Sequence, residues 1–216
     1  MVKIVRRRGD TMEKIIILGC GDHALEAADA VIKSKCELVG FIDERETESG
    51  IADVPVLGGY ETISKLSEQG CHFISGSREH TVREKQQIKF RDIPWTTVIH
   101  PSAECGIGVQ IGEGSFIGAG VILGAGAIIG QQTVIESGTI VGTAAEIGDY
   151  CQILSRVNIG CRTEIGSHTF IGQSATLKDR VRIAEKTVIQ TGEIVVKDMV
   201  MKMVYKRGAW IYKENG

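Results

Sequence analysis

Residues 117–142 read IGAGVILGAGAIIGQQTVIESGTIVG, and an aliphatic residue returns at every sixth position of this stretch. The phase holds without a slip from Ile99 to Met199. Sixteen of the seventeen positions that start a hexad in this region are Ile, Leu or Val, and the exception is Cys105. A period of six fits neither an amphipathic helix nor an ordinary strand, because Ile at every sixth residue wanders around a helix. It is typical of a parallel β-helix.

Three hexads make one coil of such a prism, so residues 18 apart lie above one another at about 4.8 Å. The seventeen hexads therefore predict between five and six coils, with the first residue of each hexad pointing into the interior. Ten hexads carry Gly at the second position, from Gly106 to Gly172, and the fifth position holds small residues. We expect both positions to form the tight corners, where a Cβ or a long side chain would clash.

Composition describes a globular chain of moderate size. The protein has 216 residues, 43% of them hydrophobic, and a net charge of −2, which argues against a general nucleic-acid or membrane-surface binder. The six cysteines have no metal-binding spacing and are predicted to be buried, reduced thiols of a cytoplasmic protein (positions 20, 36, 71, 105, 151 and 161). No apolar run approaches the ~18 residues of a membrane span.

The N-terminal part begins with a short segment that we expect to be dispensable. Residues 1–12 are predicted to be an extension, and Met12 is a candidate start, because the basic residues are not followed by the apolar segment of a signal peptide. A strand over Ile15–Leu18, the turn Gly19–Ala24 and a helix to Ile32 follow. The next strand, Glu37–Ile42, ends in Asp43 and Glu44.

This arrangement is the outline of a dinucleotide-binding unit, G-x-G-x-x-A followed by an acid about 20 residues later. Its glycines let backbone N–H groups approach a phosphate, and Asp43 is placed to accept a ribose hydroxyl. The alternative is a purely structural tight turn. A helix near 60–67, a strand at 72–75, a helix at 78–90 and an extended link to Ile99 complete a small domain. It is long enough for a mononucleotide and short for NAD.

The two parts together resemble the sugar-nucleotide acetyltransferases of bacterial surface glycans, including the bacillosamine-pathway N-acetyltransferases and the sialic-acid O-acetyltransferase group. The matching segments are 15–23, 40–44 (GFIDE), 100–103 (HPSA) and 147–150 (IGDY). The resemblance implies a Rossmann-like domain at 13–98, a left-handed β-helix at 99–198 and a C-terminal tail at 199–216. It also implies a homotrimer that binds acetyl-CoA in the groove between neighbouring prisms, and no metal.

The resemblance also implies the site residues. The predicted sugar-nucleotide site contains Gly19, Gly21, His23, Asp43, Glu44 and Gly76, and the predicted CoA site contains Gly160, Cys161, Gly172, Gln173 and Lys178. In the family a histidine in the hexad before I-G-D-[FY] serves as the base. Here Thr143 stands in its place and Ala144 in that of the following acid, while Gln152 replaces a second family histidine. A threonine hydroxyl is no base at neutral pH. The resemblance therefore supports the expected fold more strongly than the expected catalysis.

Two carboxylates and a histidine on the prism are further candidates for the chemistry. Stacking places Glu146 under Glu164 with Arg182 one coil further, which indicates a solvated charge ladder, a catalytic acid/base or a substrate contact. Asp149 follows in the I-G-D-Y motif, and His168, stacked between Tyr150 and Lys186, is predicted to be an exposed or interface histidine. Only two histidines lie in the coils, whereas a β-helical zinc enzyme needs three.

Three functions remain open. The first is an acetyl-CoA-dependent acyltransferase acting on a nucleotide-linked amino sugar, since a deprotonated amine attacks without a strong base. The second is a silent relative that binds a sugar nucleotide or a partner protein without transfer. The third, an NAD-dependent enzyme, conflicts with the short N-terminal domain. The basic, aromatic tail after Asp198 is interpreted as a clamp on the CoA phosphates or as a strand packed on the prism.

Overall fold

The computed structural model describes residues 12–45, 53–201, 203–206 and 209–212, with side chains up to Met201. The N-terminal part is a three-stranded parallel sheet in the order β2-β1-β3, accompanied by helices. Its elements are β1 Lys14–Leu18, α1 Asp22–Lys33, β2 Glu37–Ile42, a 3₁₀ turn Tyr60–Thr62, α2 Ile63–Glu68, β3 His72–Ser75 and α3 His80–Lys89. The predicted strands are confirmed, and α3 begins and ends within two residues of the expected positions. The helix expected at 60–67 is a 3₁₀ turn followed by α2, which begins three residues later than expected.

Strand β1 is the centre of this domain because its side chains are apolar on both faces. Ile15 and Ile17 pack with the alanines of α1, whereas Ile16 and Leu18 pack with Ile63 of α2 and its neighbours. A parallel sheet covered on both faces requires such a continuous apolar run. All three strands end at the same edge, so the loops that follow β1, β2 and β3 come together there.

The remainder of the chain is a parallel β-helix of two-residue strands, called here the prism. Its strands are β4 Val98–Ile99, β5 Glu104–Cys105, β6 Gln110–Ile111, β7 Phe116–Ile117, β8 Ile122–Leu123, β9 Ile128–Ile129, β10 Val134–Ile135, β11 Ile140–Val141, β12 Glu146–Ile147, β13 Gln152–Ile153, β14 Asn158–Ile159, β15 Glu164–Ile165, β16 Phe170–Ile171, β17 Thr176–Leu177, β18 Arg182–Ile183, β19 Val188–Ile189 and β20 Ile194–Val195. Two further strands, β21 Met203–Lys206 and β22 Ala209–Tyr212, follow.

Every third strand belongs to the same face. The first face is built by β4, β7, β10, β13, β16 and β19, the second runs from β5 to β20, and the third runs from β6 to β18. Partners along a face are 18 residues apart, as in the pair Glu146 and Glu164 and the pair Glu164 and Arg182. The register expected from the hexads is therefore confirmed. We call the turns that follow the first, second and third faces the first, second and third corners.

The interior of the prism is an aliphatic ladder. From Ile111 to Val195 the first residue of every hexad is buried, together with the residue at the fifth position, which is small in all but the last two of these hexads. The prediction is wrong for Cys105, which is exposed although it starts a hexad. It lies in the first coil, where no coil below covers the end of the ladder, and Ile99 is only partly buried for the same reason.

The corners use glycine differently from the expectation. The left-handed backbone occurs at the fourth position of the hexads, and several of its residues carry side chains, among them Ala144 (φ 52°) and Tyr150 (φ 56°). The glycines at the second position have no such conformation. A Cβ on Gly142 would lie 2.5 Å from the backbone nitrogen of Cys161 in the next coil, so this position is small because the coils stack closely. The fifth residues are small because they fill the narrow interior.

The N-terminal domain covers the first face of the prism. Val98, Phe116 and Val134 on that face are buried in the same cluster as Ile15 and α1. The ring of His23 meets the ring of Phe116 edge to face at 4.7 Å between centroids. Because this contact is apolar and continuous, the loops at the edge of the small sheet are held against the first corner.

The chain beyond the hexads adds backbone to the first face. Strand β21 pairs in parallel with β19 and turns back as β22 in an antiparallel hairpin. A tail strand packed on the prism is therefore present, while the basic side chains proposed as a CoA clamp lie outside the described side chains. In the described residues we find no helix long and apolar enough to cross a membrane.

Candidate functional site

The glycine loop after β1 contains two structural glycines and one that faces open space. Gly19 has φ +110°, and a Cβ on Gly76 would lie 2.8 Å from Ile17 Cγ2 and 2.9 Å from Ala24 Cβ. Both positions therefore require glycine for the loops to pack. A Cβ on Gly21, the N-cap of α1, would meet nothing within 4 Å. The space in front of Gly21 is thus open for a ligand at the start of the helix.

The acids after β2 hold the neighbouring loops. Asp43 Oδ2 accepts a hydrogen bond from the backbone N–H of Cys20 at 3.0 Å, and its Oδ1 accepts one from the backbone N–H of Arg45 at 2.9 Å. Glu44 accepts from the backbone N–H of Tyr60 at 2.8 Å. These contacts bring Asp43 to the glycine loop as expected, with the buried carboxylate fixing the loop. Its contact with a ribose stays a prediction.

His23, in the first turn of α1, is buried at 3% exposure. Its Nδ1 lies 3.2 Å from Glu26 Oε2, and its Nε2 is buried without a hydrogen-bond partner. Burial lowers the pKa of His23, against the opposing effect of Glu26, so the ring is neutral at pH 7. The hydrogen bond to His23 in turn lowers the pKa of Glu26.

A chain of charges that the sequence analysis missed continues from Glu26 to the first corner. Arg78, in the loop after β3, lies 3.5 Å from Glu26 and 3.1 Å from Glu136 on the prism. Glu136 Oε2 accepts hydrogen bonds from the hydroxyl of Ser155 at 2.8 Å and from its backbone N–H at 3.1 Å. Glu136 was detectable in the sequence, because it interrupts the run of glycines that begins at Gly106.

Arg83 of α3 ties the two domains together from a buried position. It is 1% exposed, and it donates to the carbonyl oxygens of Gln132 at 2.7 Å, Tyr150 at 3.1 Å and Cys151 at 3.0 Å. It also donates to the carbonyl oxygen of Arg78, so it fixes the loop that carries that residue. Burial lowers the pKa of Arg83 to about 10, which leaves it charged at neutral pH.

Thr143 lies on the second corner, away from the face that the N-terminal domain covers. Its side chain is exposed, and its backbone oxygen accepts from the N–H of Arg162 one coil above. Within the described residues the hydroxyl has no hydrogen-bond partner. In the family that this chain resembles, position 143 carries the base. In this chain the same position therefore holds no acid–base pair.

Glu146 lies in a hollow of about 580 Å³ on the third face, together with Glu164 and Arg182. Arg182 is paired with Asp198 at 2.7 Å, at the end of the charge ladder. The carboxylates are exposed on the outer surface of the prism. The structure brings them together as predicted, but on a different face from the glycine loop.

Asp149 lies on the third corner. Its Oδ1 accepts a hydrogen bond from the backbone N–H of Gln131 at 2.9 Å in the coil below, which stabilises the stacking of coils. Beside it Tyr150 stacks on His168, with ring centroids 5.0 Å apart, and His168 Nε2 lies 3.4 Å from Glu84 of α3. His168 is therefore an interface histidine, and the third corner contributes to the contact between the domains.

The residues predicted to bind CoA divide between two corners. Gly160 and Cys161 lie directly above the Thr143 hexad on the second corner, with Lys178 one coil further. Gly172 and Gln173 lie on the first corner, one coil above Ser155. A single prism therefore does not gather the five residues at one place.

Across the described part of the chain no group of His, Cys, Asp and Glu is arranged to hold a metal ion.

Comparison with protein families identifies both parts of the chain. Residues 14–89 match the PglD N-terminal domain, and residues 108–143 match the bacterial transferase hexapeptide, a family of six repeats. The resemblance and the order of the two parts, a short α/β region followed by a hexapeptide β-helix, are thus confirmed. No curated protein matches the chain by sequence.

Several solved structures have a similar fold over most of the chain. A histidine-to-alanine variant of GDP-perosamine N-acetyltransferase from Caulobacter crescentus, in complex with CoA and GDP-perosamine, has a TM-score of 0.87 and 24% identity, with 95% of this chain and 99% of that chain covered. The acetyltransferase domain of PglB from Neisseria gonorrhoeae, in complex with acetyl coenzyme A, has a TM-score of 0.84 and 19% identity over 89% and 95% of the two chains. WeeI from Acinetobacter baumannii has a TM-score of 0.77 and 22% identity over 87% and 93%.

Proposed function

We propose that the protein is an acetyl-CoA-dependent acyltransferase that acts on a nucleotide-linked amino sugar in bacterial glycan biosynthesis. The observation that carries this proposal is the open space in front of Gly21, at the start of α1, whose Glu26 is linked through Arg78 to Glu136 on the first corner. A diphosphate fits that place, because the first N–H groups of a helix and its dipole favour an anion. The likeness to nucleotide-sugar acetyltransferases over almost the whole chain supports the same assignment.

The acetyl donor would bind between neighbouring prisms of a homotrimer. The predicted CoA residues support this arrangement, because a groove between two prisms takes one wall from each. Gly160, Cys161 and Lys178 would line one wall, and Gly172 and Gln173 the other. The exposed isoleucines Ile122 and Ile140 on the second face offer apolar surface for the association. Sedimentation should give a trimer, and a monomer at micromolar concentration would contradict the arrangement.

The direct test is acetyl transfer from acetyl-CoA to 4-amino sugars linked to GDP or UDP, measured as release of CoA. Gly21→Val serves as the matched variant. Because no atom lies within 4 Å of the added Cβ and the backbone φ is −80°, the substitution should leave the fold intact and block the phosphate. We expect loss of nucleotide binding with an unchanged melting temperature. Unchanged binding of GDP and UDP, or tight binding of NAD by the parent, would reverse the assignment.

The second candidate is a relative that binds a sugar nucleotide or a partner protein without catalysing acetyl transfer. The hydroxyl of Thr143, which has no hydrogen-bond partner among the described residues, favours it. A base supplies roughly 10²–10⁴-fold in rate, so its loss is a serious defect. Thr143→His with Ala144→Asp restores the family hexad, and Asp is among the residues that tolerate the left-handed φ of position 144. If the parent is weakly active, a gain of at least about tenfold in the rate of transfer would identify a lapsed enzyme. Such a gain corresponds to about 1.4 kcal/mol in the activation free energy. A parent with ordinary turnover and no gain would favour a base elsewhere.

A further inference from the structure

The charges at the first corner form one connected row. His23 contacts Glu26, Glu26 lies 3.5 Å from Arg78, and Arg78 lies 3.1 Å from Glu136, which Ser155 holds. Two carboxylates therefore flank a single guanidinium. The row begins in the N-terminal domain and ends on the prism, so it crosses the junction between them.

Arg78 belongs to the same edge of the small sheet as the glycine loop. It follows β3, the strand beside β1, and Gly76 packs directly against Ala24 and Gly19. Ligands of parallel sheets bind outside the carboxyl ends of neighbouring strands. Arg78 is one-third exposed, and it follows the strand next to β1 at the edge where the glycine loop lies, so it is a cation that a ligand at this edge can contact.

The contact between Arg78 and Glu136 is incomplete. Arg78 Nε and Glu136 Oε1 are close, but they are not aligned for a hydrogen bond, and both atoms are buried without any other hydrogen-bond partner. His23 Nε2, on a side chain that is 2% exposed, is also buried without a partner. Unsatisfied buried polar atoms are costly and rare. Arg78 and Glu136 therefore keep hydrogen-bonding capacity that their own contact does not use and that a polar ligand can take up.

Glu136 is held on one side only. Oε2 accepts both hydrogen bonds from Ser155, which leaves Oε1 directed to Arg78. Its side chain is 8% exposed, so removal of Arg78 would leave a shielded carboxylate without a counterion. Separation from Arg78 would therefore leave Oε1 of Glu136 as a free acceptor at the junction of the two domains.

We propose that Arg78 and Glu136 form a pair that substrate separates: Arg78 binds the diphosphate of the nucleotide sugar, and Glu136, released from it, receives the proton of the acceptor amine. This inference rests on the proposed acetyl transfer. It assigns the base to the first corner instead of the position of Thr143. It also specifies an amine as the acetyl acceptor, because a carboxylate can hydrogen-bond to an amine or ammonium group and accept its proton.

The reaction balances with acetyl-CoA as the second substrate. The amine nitrogen forms a bond to the thioester carbonyl carbon, and the carbon–sulfur bond breaks. The electron pair of that bond leaves with the CoA sulfur as a thiolate. The proton lost by the nitrogen passes to the Glu136 carboxylate and then to the thiolate, which restores the carboxylate. Departure of the products returns Arg78 to Glu136.

The first arm of the test measures binding of GDP and UDP to the full chain by calorimetry. Arg78→Gln should weaken binding at least about tenfold, the effect of losing a charge-assisted hydrogen bond. Arg78→Lys should retain most of the affinity. Glu136→Gln should bind at least as tightly as the parent, because the carboxylate that competes for Arg78 is gone. Arg91→Gln and Glu113→Gln, both at exposed positions away from this corner, are the matched controls.

The second arm measures transfer to the amino sugar against pH. Glu136→Gln should lower kcat by about a hundredfold at nearly constant KM and remove the acidic limb of the profile, while Glu136→Asp should recover part of the rate. Equal melting temperatures show that the variants fold. Arg78→Gln binding within twofold of Arg91→Gln, or a normal kcat in Glu136→Gln, would overturn the inference alone. Failure of the parent to bind either nucleotide would instead overturn the proposed function.

Discussion

The first and second corners of one coil differ sharply although the same repeat builds both. On the first corner Glu136 is buried, fixed by Ser155 and paired with Arg78 of the other domain. Seven residues later Thr143 is exposed, with no hydrogen-bond partner for its hydroxyl among the described residues. The repeat fixes the backbone of both corners equally. The chemistry differs because, of these two corners, the first has the N-terminal domain against it and the second does not.

The largest expected effect concerns the interior that both corners share. Ile129 is 2% exposed and stacks under Ile147 in the coil of Thr143. Ile129→Asp should prevent folding, because an unpaired buried charge costs several kcal/mol, a large part of the stability of a domain. Ile128→Asp is the matched control, since the neighbouring side chain points outward and is 39% exposed. Circular dichroism and melting should separate the two variants, and normal melting of Ile129→Asp would mean that the register is wrong.

The next effect concerns the contact that holds the N-terminal domain against the prism at the third corner. Arg83→Met removes the donor to three prism carbonyl oxygens and leaves them buried, so we expect a loss of about 2–4 kcal/mol in the free energy of unfolding. Arg83→Lys should show a similar loss of stability, because one ammonium group does not span the three separated carbonyl acceptors. Arg91→Met, at an exposed position on the same segment, should change the free energy little. Urea unfolding measures all three, and equal midpoints for Arg83→Met and Arg91→Met would show that the junction is not held by this residue.

The sequence predicts the prism better than the site, and the reasons are physical. A period of six fixes which residues stack, so the pairing of Glu146 with Glu164 follows from counting alone. Cys105 was misplaced because periodicity does not reveal where the ladder ends. The sequence predicts Arg78 and Arg83 only as part of a helix at 78–90, since their partners lie 49 to 68 residues away along the chain. Glu136 gave a usable signal as an acid within a series of glycines.

A smaller effect is a pH dependence at the same junction. Because burial lowers the pKa of His23 below its ordinary value of 6.5, the unfolded chain binds a proton there at higher pH than the folded protein. This contribution to stability is complete above pH 6.5 and decreases as the pH falls below that value. Melting temperatures between pH 7.5 and 5.5 should fall less in His23→Asn, which keeps a donor for Glu26 and does not titrate. An identical slope in the variant would assign the dependence to other groups.

The smallest effect is expected at the second corner. Thr143→Ala removes an exposed hydroxyl without a partner, so acetyl transfer and melting temperature should both remain close to those of the parent. Steady-state kinetics with the amino-sugar nucleotide checks this directly. A loss of about a hundredfold in kcat would mean that the hydroxyl takes part in transfer, as a base or as a donor to the oxyanion.

The most direct test of the difference between the corners is a crystal structure of the protein with a GDP- or UDP-linked amino sugar. The account predicts the guanidinium of Arg78 on the diphosphate, no longer within ion-pair distance of Glu136, and the sugar amine within hydrogen-bond reach of Glu136 Oε1. An intact pair at its present 3.1 Å, with the diphosphate bound elsewhere and the amine facing Thr143, would contradict it.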